Sequence, residues 1–452
     1  MQKVLLIQPP LEDFYTTSIR LYPLGLLYTA EVFQQMGLTV RVFDALSPLK
    51  KKALPLPKKF FYLAKYLGQP YFFKHYQRFG VSFARILEEI KNYEPDLIGL
   101  SSSFAAYFST LEALIKEIKQ QFRIPVIIGG NQATAAPMEI KKRVPEIDEV
   151  IAGQAERTLP LLAEEHPVLK GLLKNSPVKS LDGLDWRTLT PAHNLLPASD
   201  YQIGRKNYIS LQASRGCPHL CSFCNIHLVF GRRPEYRKVK SVLEEMRWNY
   251  LYRQVRVFNF EDDNLAFNRD WFEEFLKTVS LAPEFRDIEI TFMNGLSYEN
   301  LDESLLRLMK KAGVRRLDLS WVSGDPVLRR RYQRPEGTEE EKFFELIKSA
   351  RRLGFFLTVY LIIGLPGQTR EEVVETTEKL LEAGVLVGPS VFYLTPGSEL
   401  EKNLPLSAEI KNDWDFYRST AFAVETDYLR RQDLIELFLY IRQRNLENRA
   451  KE

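Results

Sequence analysis

Three cysteines in one short stretch are the residues of this chain with the clearest capacity for chemistry. Cys217, Cys221 and Cys224 are spaced four and three positions apart. They follow an apolar run at 208–212 that has the pattern of a β-strand, so the three thiols lie in one loop. Iron–sulfur clusters are bound by cysteine thiolates, and a cubane with three of them leaves one iron open to an exogenous ligand. The spacing therefore favours a 4Fe-4S cluster with one open iron.

A zinc site is the main alternative. His227 follows Cys224 closely and would complete a set of three cysteines and one histidine, because structural zinc is four-coordinate. Zinc ligands, however, usually come as two pairs separated by a longer spacer. Three unrelated buried cysteines are a further alternative. The spacing favours the cluster, and a zinc-stabilised binding module is the competing class of protein.

The cysteine motif and its surroundings resemble the radical S-adenosylmethionine (SAM) superfamily. The pattern C-x-x-x-C-x-x-C follows the first strand of a predicted barrel, with Phe223 at the aromatic position before the last cysteine. Residues 260–264 (Phe-Glu-Asp-Asp-Asn) are similar to the family's acidic segment after the second strand. Residues 364–369 (Gly-Leu-Pro-Gly-Gln-Thr) are similar to its G-x-P-G-E-T turn, and residues 395–400 (Thr-Pro-Gly-Ser-Glu-Leu) to its P-G-T-x-L segment.

The resemblance implies roles for further residues. The three cysteines would ligate the cluster, and six residues would bind SAM: Phe223, Glu261, Asp262, Ser320, Ser323 and Gly364. Trp321 and Tyr393, at the ends of predicted strands, are weaker candidates for substrate contact, with core packing as the alternative. Val322 stands where the family usually has the glutamate of G-x-E-S-G, which alters the expected contacts to SAM.

The N-terminal third predicts a second ligand site. Short apolar runs alternate with helical patterns, which is typical of a parallel sheet covered on both faces. The five predicted strands are 4–7, 38–43, 97–101, 126–129 and 149–152. Small or polar residues follow nearly all of them, and in open α/β sheets ligands bind outside the carboxyl ends of the strands. We expect a large polar ligand there, with ordinary turns as the alternative.

This N-terminal unit resembles the cobalamin-binding domain of cobalamin-dependent radical SAM enzymes, a Rossmann-like (flavodoxin-like) fold. The resemblance implies the following cobalamin-binding residues: Gln8, Pro9, Gly25, Ser101, Ser102, Ser103, Gly129, Gly130, Asn131, Gly153, Gln154 and Glu156. Residues 153–156 (Gly-Gln-Ala-Glu) depart from the G-E-G-E that is common there. No D-x-H-x-x-G motif occurs in the sequence. Cobalamin would therefore be bound base-off, without a histidine ligand from that motif.

The remaining patterns predict the domain organisation. Six strand–helix units predict a partial (β/α)6 barrel of the TIM type, with strands at 208–212, 255–260, 288–292, 316–320, 356–363 and 390–394. We therefore divide the chain into a cobalamin-binding domain (1–165), a proline-containing linker (166–205), a radical SAM barrel (206–402) and a helical C-terminal segment (403–452).

Composition excludes several classes of protein. The chain has 452 residues, 62 Lys and Arg against 58 Asp and Glu, and 45% hydrophobic residues, so neither disorder nor general affinity for nucleic acid is expected. Three cysteines are a poor disulfide framework and indicate a reducing compartment. The longest apolar run, 355–365, is too short to span a bilayer. A cytoplasmic protein is expected.

One segment, residues 50–85, is basic and aromatic throughout. No acidic residue occurs between Asp44 and Glu88. Such a segment could contact an anionic membrane surface peripherally or hold an acidic substrate. The alternative is a helical excursion whose aromatic side chains pack on the core and whose lysines are solvated.

Together these features predict a radical SAM enzyme that uses cobalamin to methylate an unactivated carbon. A cobalamin-binding cyclase, ring-contraction or rearrangement enzyme is the alternative, as is a member that has lost cobalamin. The resemblance also implies a low-potential electron donor of the flavodoxin or ferredoxin type, a small-molecule, peptide or lipid substrate, and a monomeric protein. Because all three cysteines serve one cluster, an auxiliary cluster is not expected.

Overall fold

The N-terminal part of the chain alternates strands with helices. The computed structural model describes residues 2–16, 22–173, 184–333 and 340–449. The strands of this part are β1 (Lys3–Gln8), β2 (Leu11–Asp13), β3 (Thr39–Asp44), β4 (Lys51–Ala53), β5 (Gln77–Phe79), β6 (Leu97–Ser101), β7 (Val126–Gly129) and β8 (Glu149–Ile151). Its helices are α1 (Leu24–Gln35), α2 (Phe83–Tyr93), α3 (Phe108–Gln121), α4 (Asn131–Ala135), α5 (Pro137–Arg143), α6 (Ala155–Glu165) and α7 (Pro167–Leu173).

Five of these strands form one parallel sheet in the order β3-β1-β6-β7-β8. This is the flavodoxin-like order, and the sheet reverses direction of growth between β1 and β6. Side chains of β1 alternate between two apolar clusters, with Val4 and Leu6 in one and Leu5 and Ile7 in the other. Both faces are therefore buried, and the predicted Rossmann-like fold is confirmed.

The second part of the chain contains the remaining elements. Its strands are β9 (Gln202–Ile203), β10 (Lys206–Leu211), β11 (Ser214–Arg215), β12 (Glu235–Tyr236), β13 (Val255–Phe260), β14 (Glu289–Thr291), β15 (Arg316–Trp321), β16 (Phe356–Ile363) and β17 (Leu386–Val391). Its helices are α8 (Ile226–Phe230), α9 (Val239–Arg253), α10 (Arg269–Leu281), α11 (Glu303–Lys311), α12 (Pro326–Arg331), α13 (Glu340–Arg352), α14 (Arg370–Glu382), α15 (Glu399–Asn403), α16 (Ala408–Asn412) and α17 (Arg431–Arg449).

Six of these strands form the predicted partial barrel. β10, β13 and β14 are parallel neighbours, as are β15, β16 and β17. Two isolated parallel bridges, Ile290 to Val314 and Leu296 to Leu319, join the two sheets. The barrel thus runs from β10 to β17 with its carboxyl ends at one mouth.

The last barrel strand differs from the prediction, since β17 covers Leu386–Val391 rather than 390–394. Gly388 and Pro389 lie inside this strand, and because both residue types are typical of turns, the sequence pattern does not predict a strand there. Pro389 is tolerated because β17 is an edge strand. Asn445 of α17 accepts a hydrogen bond from Val387 N (2.9 Å) and donates one to Val387 O (2.8 Å), so α17 covers this edge.

The predicted linker contributes several residues to the core. Trp186, Leu189, Leu196 and Tyr201 are buried, and β9 pairs antiparallel with β10. Residues 174–183 of the predicted linker lie outside the described residues. Residues 184–205 therefore pack against the barrel and the N-terminal sheet rather than separate them.

A chain of buried polar groups crosses the same region. His193 is 1% exposed; its Nδ1 lies 2.5 Å from Tyr22 Oη and its Nε2 lies 2.8 Å from Glu245 Oε1. Glu245 Oε2 accepts a hydrogen bond from Arg237 Nη1 at 2.5 Å. These hydrogen-bonded side chains connect the N-terminal domain, residues 184–205 and α9. Buried polar groups that are paired in this way specify one relative arrangement of the elements they join.

The basic aromatic segment, residues 50–85, packs its aromatic side chains on the core, as the core-packing alternative predicted. It does so through strands and a short 3₁₀ turn rather than through the expected helix. Phe60, Phe72, Phe73 and Tyr76 are buried, and their rings contact aromatic residues of the C-terminal segment, including Phe416, Phe422 and Phe438. β2, β5 and β4 form a small antiparallel sheet beside them. Among the described helices, none is long and apolar enough to cross a membrane.

Two adjacent phenylalanines test this assignment. Phe60 is fully buried and Phe61 is 57% exposed. We expect Phe60→Ala to lower the free energy of unfolding by about 3–5 kcal/mol, because it leaves a cavity between this segment and Phe416 of the C-terminal segment. The exposed Phe61→Ala should change it by less than about 0.5 kcal/mol. Urea unfolding followed by circular dichroism measures both, and equal effects of the two substitutions would contradict the assignment.

Candidate active site

Two carboxylates hold the start of the cysteine loop. Asp262 accepts hydrogen bonds from Ala213 N (3.1 Å), Ser214 N and Ser214 Oγ (2.6 Å). Asp263 accepts one from Gly216 N at 3.0 Å. Burial raises the pKa of Asp262 to about 7 and that of Asp263 to about 6. Asp262 was predicted to bind SAM, but its carboxylate is already used to shape the loop.

The end of the loop is held by the turn that follows β17. Thr395 Oγ1 donates to Phe223 O (2.9 Å), and Asn225 Nδ2 donates to Pro396 O (2.9 Å). Leu400 N donates to Ser222 O at 3.0 Å. These contacts explain why a proline- and glycine-containing turn belongs to the site: it fixes the backbone around the last two cysteines.

The three thiols lie close enough together for their charges to interact. Burial raises the pKa of Cys217 and raises that of Cys224 to about 11, and the charge of Cys221 adds to both increases. Because cysteine binds metal as the thiolate, loading this loop with iron releases protons. Three adjacent sulfur donors in one loop suit a 4Fe-4S cluster with one open iron.

The sequence analysis missed one residue beside the cysteines, Asn264. Its side chain is 4% exposed, and its Nδ2 lies 3.9 Å from Cys217 Sγ and 3.0 Å from His219 Nε2. Its Oδ1 has no hydrogen-bond partner within the described part of the chain. Hydrogen bonds to ligating sulfurs influence the reduction potential of a cluster. Asn264 follows three acidic residues, and the sequence pattern predicted a role for two of those carboxylates and none for this amide.

The alternative zinc site needs His227 as its fourth ligand. His227 lies on α8, after the last cysteine. Across residues 2–16, 22–173, 184–333 and 340–449, no group of three or more His, Cys, Asp or Glu side chains is already arranged to hold a single metal ion. The three cysteines and His227 are therefore not a preformed zinc site.

Glu261, the first acidic residue after β13, is hydrogen-bonded to other residues of the barrel. It is half-buried, its Oε1 accepts hydrogen bonds from Ser210 Oγ (3.2 Å) and Asn259 Nδ2 (2.5 Å), and its Oε2 accepts one from Asn294 Nδ2 (2.9 Å). Ser320 lies against the residue that follows Asn294, since a Cβ on Gly295 would be 2.8 Å from its Oγ. Glu261 and Ser320 are thus linked through two adjacent residues of the barrel.

Ser323 and Gly364 belong to a hydrogen-bonded group that joins the ends of β15 and β16. Ser323 Oγ donates to Glu372 Oε1 at 2.6 Å. Gln368 accepts from Gly364 N (2.8 Å) and donates to Ile362 O (3.0 Å) and to Glu372 Oε2 (3.2 Å). A glutamine can donate these bonds and an ionised glutamate cannot, which accounts for Gln368 in place of the usual glutamate. Sequence reasoning missed Glu372, which lies one turn further along.

The other residues that the sequence analysis singled out in the barrel differ in how far they are exposed. Val322 is buried in an apolar cluster with Leu365 and Phe392, and Phe223 packs against that cluster. Trp321 is 2% exposed and stacks on Phe343 with ring centroids 4.2 Å apart. The alternative of core packing therefore describes Trp321. Tyr393 is half-buried and close enough to Tyr107 for their charges to interact.

The second predicted site lies where the N-terminal sheet reverses. Gln8 ends β1, followed by Pro9, and Ser101 ends β6, followed by Ser102 and Ser103. The hydroxyl oxygens of Ser101 and Ser103 lie 3.1 Å apart. A Cβ on Gly25 would meet no atom within 4 Å. These residues lie at the β1/β6 switch point, the position of the crevice in which ligands bind in this fold.

The loop after β7 forms the neighbouring wall. Gly130 has φ +123°, and a Cβ there would lie 2.6 Å from Ser102 O, whereas a Cβ on Gly129 would meet no atom closer than 3.7 Å. Asn131 begins α4 and is exposed. Gln132 is 3% exposed and accepts from Ser102 Oγ (2.8 Å), and among the described residues nothing pairs with its Nε2. This glycine wall packs against Ser102 and Ile151, and the buried Nε2 donor of Gln132 fits a large ligand rich in amide groups, such as cobalamin.

Arg215 links this domain to the cysteine loop. Its guanidinium, two residues before Cys217 and 5% exposed, pairs with Glu156 and donates to Gln154 Oε1 at 2.8 Å. The rings of Tyr28, Trp186 and Phe230 surround it. Glu156 and Gln154 follow β8 at the end of the loop that begins with Gly153. These two predicted cobalamin-binding side chains therefore contact the barrel rather than face the crevice.

The two sites are neighbours. α4, which follows the glycine wall, contacts α8, which follows the last cysteine. A Cβ on Gly397 would lie 2.6 Å from Leu228 of α8 and 3.8 Å from the carbonyl oxygen of Ala135, at the end of α4. The loop after β7 and the cysteine loop are therefore close to each other.

Comparison with protein families identifies both parts. Residues 16–163 match the B12 binding domain, and residues 211–380 match the radical SAM superfamily. The chain belongs to the cobalamin-dependent radical SAM enzymes, in which a B12 binding domain precedes the radical SAM domain.

Individual relatives agree with this assignment. The chain is 24% identical over 393 residues to an uncharacterised methyltransferase of Pyrococcus horikoshii, covering 83% of this chain and 77% of that protein. It is 26% identical over 477 residues to cytidylyl-2-hydroxyethylphosphonate methyltransferase of Streptomyces wedmorensis, covering 93% and 84%. It is similar in fold to the radical SAM methyltransferase TsrM of Kitasatospora setae, solved with cobalamin and a 4Fe-4S cluster, with a TM-score of 0.66 and 14% identity, covering 98% of this chain and 91% of TsrM.

Two adjacent residues test the link between the domains. Glu156→Ala leaves the Arg215 guanidinium buried and unpaired, so we expect it to lower the free energy of unfolding by about 3–5 kcal/mol. Arg157→Ala removes an ion pair with Glu235 that is 55% and 35% exposed, and should cost less than about 1 kcal/mol. Adding Arg215→Met to Glu156→Ala should recover part of the loss, because the double variant has no unpaired charge. A small effect of Glu156→Ala in urea unfolding would show that the pair does not fix the domains.

Proposed function

We propose that the chain is a cobalamin-dependent radical SAM methyltransferase that acts on an unactivated carbon of a small-molecule, peptide or lipid substrate. The observation that carries the proposal is the direct contact of α4, in the B12 binding domain, with α8, after the last cysteine. A carrier of methyl groups and a source of radicals are useful together only when both face one substrate. The two relatives described above are named methyltransferases, which supports methyl transfer as the outcome.

When bound, the cluster supplies the electron that cleaves SAM to a 5′-deoxyadenosyl radical, and cobalamin supplies the methyl group. Cys217, Cys221 and Cys224 would hold the cluster. Glu261 would orient SAM by accepting a hydrogen bond from its amino group, since its carboxylate is fixed by Ser210, Asn259 and Asn294. Phe223 would lie against the adenine.

The chain's own residues also exclude water. Val322, Leu365 and Phe392 belong to one apolar cluster, and Phe223 packs against it at the edge of the cysteine loop. An apolar boundary protects a reactive radical from side reactions. Val322 serves this boundary in place of the carboxylate usual at its position.

We propose that cobalamin is bound base-off and without a histidine ligand from the loop after β1. The loop after β1 continues directly into β2, which pairs with β5. No histidine lies between Gln8 and Leu24. We further propose a monomeric enzyme that receives electrons from a flavodoxin or ferredoxin.

Anaerobic reconstitution tests the proposal. Wild-type protein is expected to bind about four irons per chain, to form 5′-deoxyadenosine from SAM, to retain hydroxocobalamin, and to move a ¹³C-methyl label from SAM to the corrinoid. Cys224→Ala should lose the iron and the 5′-deoxyadenosine. Leu220→Ala, in the same loop but at a side chain that is 50% exposed, should keep both.

Three results would contradict parts of the proposal. A colourless protein with one zinc per chain would exclude the radical enzyme. Iron-loaded protein that cleaves SAM but retains no corrinoid would exclude cobalamin-dependent methyl transfer. Corrinoid retained without transfer of the label would favour the alternative of a cyclase, ring-contraction or rearrangement enzyme.

A further inference from the structure

The C-terminal segment contacts the walls of the cobalamin crevice, although it lies beyond both family matches. Arg418 is 4% exposed. Its Nη1 donates to Glu12 O at 2.6 Å and its Nη2 donates to Ala106 O. Glu12 lies in the loop region after β1, and Ala106 in the loop after β6. One side chain therefore bridges the two loops that flank the switch point.

A second group of contacts joins the same loops through Asp13, which is 2% exposed. Asp13 Oδ1 accepts hydrogen bonds from Thr420 Oγ1 (2.5 Å) and Phe14 N (2.7 Å). Its Oδ2 accepts one from Tyr107 Oη at 3.0 Å. Arg418 Nη1 lies 3.7 Å from Asp13 Oδ1, so the buried carboxylate is paired. The β1 loop, the β6 loop and residues 418–420 thus form one closed polar network.

The C-terminal segment is itself fixed at its other side. Asp415 accepts hydrogen bonds from Ser109 Oγ of α3 (2.9 Å) and Lys59 Nζ (2.8 Å), and from Arg418 Nη2 (3.2 Å). Arg418 Nε donates to the Asp415 carbonyl at 2.7 Å. Arg418 is therefore held in one position before it reaches the two loop carbonyls.

We propose that Arg418 and Thr420 are positioning residues of the corrinoid site, which set the separation of the β1 and β6 loops. The inference rests on the proposed function, because it requires that this crevice binds a corrinoid. Loops at strand ends are mobile unless other groups fix them, and a preformed site binds more tightly because its ordering cost is met during folding. The C-terminal segment is thus a third part of the cobalamin site.

Substitutions in the full-length, cluster-loaded protein test this inference. Thr420→Val removes the hydroxyl that bonds to Asp13, and Thr420→Ser keeps it. Arg418→Lys keeps the charge but cannot bridge both carbonyls in the same geometry. Arg444→Ala, which removes an ion pair between α17 and Glu378 of α14, is the control within the same segment. The measurements are hydroxocobalamin affinity by absorbance titration, the EPR spectrum of bound cob(II)alamin, iron content and 5′-deoxyadenosine formation.

We expect Thr420→Val and Arg418→Lys to weaken hydroxocobalamin binding about ten-fold and to alter the cob(II)alamin spectrum. Iron content and 5′-deoxyadenosine formation should remain as in wild type. Thr420→Ser and Arg444→Ala should bind as wild type does.

Unchanged affinity and spectrum in Thr420→Val and Arg418→Lys would overturn the inference while leaving the proposed function intact. Parallel loss of iron, SAM cleavage and corrinoid would also overturn it, because that pattern indicates a general folding role. Failure of the wild-type protein to bind hydroxocobalamin would instead refute the proposed function, and the inference with it.

Discussion

The buried ion pair between Arg215 and Glu156 is the interaction on which the arrangement of the molecule depends. Arg215 stands two residues before the first cysteine, and Glu156 stands just after the last strand of the N-terminal sheet. Burying two charges is costly unless both are paired and hydrogen-bonded. Gln154, Gln212 and three aromatic rings complete the surroundings of the guanidinium. A single charged contact therefore fixes the cysteine loop against the B12 binding domain.

Other contacts act on the same loop and give it one shape. Asp262 and Asp263 bind the backbone before the first cysteine, and the turn after β17 binds the backbone around the last one. Glu261, the first of the three acidic residues after β13, instead accepts hydrogen bonds from Ser210, Asn259 and Asn294. Residues that a motif groups together thus divide into two that hold the cysteine loop and one that is bonded to other residues of the barrel.

The sequence was sufficient to predict the fold class of both domains. Apolar runs with small residues at their ends marked all five strands of the N-terminal sheet, since a buried parallel strand is nearly continuous in its apolar character. β17 was misplaced because Gly388 and Pro389 are turn residues in most contexts, and only the presence of α17 makes them acceptable in an edge strand. Arg215, Glu372 and Asn264 could not be assigned from spacing, because each has a partner that is distant in sequence.

Because α4 of the B12 binding domain contacts α8 after the last cysteine, we expect a bound cluster and a bound cobalamin to lie side by side. The most direct test is the EPR relaxation of cob(II)alamin in the reconstituted protein, measured with the cluster oxidised and with the cluster reduced. The cob(II)alamin signal should relax faster when the cluster is reduced and paramagnetic, because a nearby spin increases relaxation. Identical relaxation in the two states would show that the two cofactors are far apart and would contradict this arrangement.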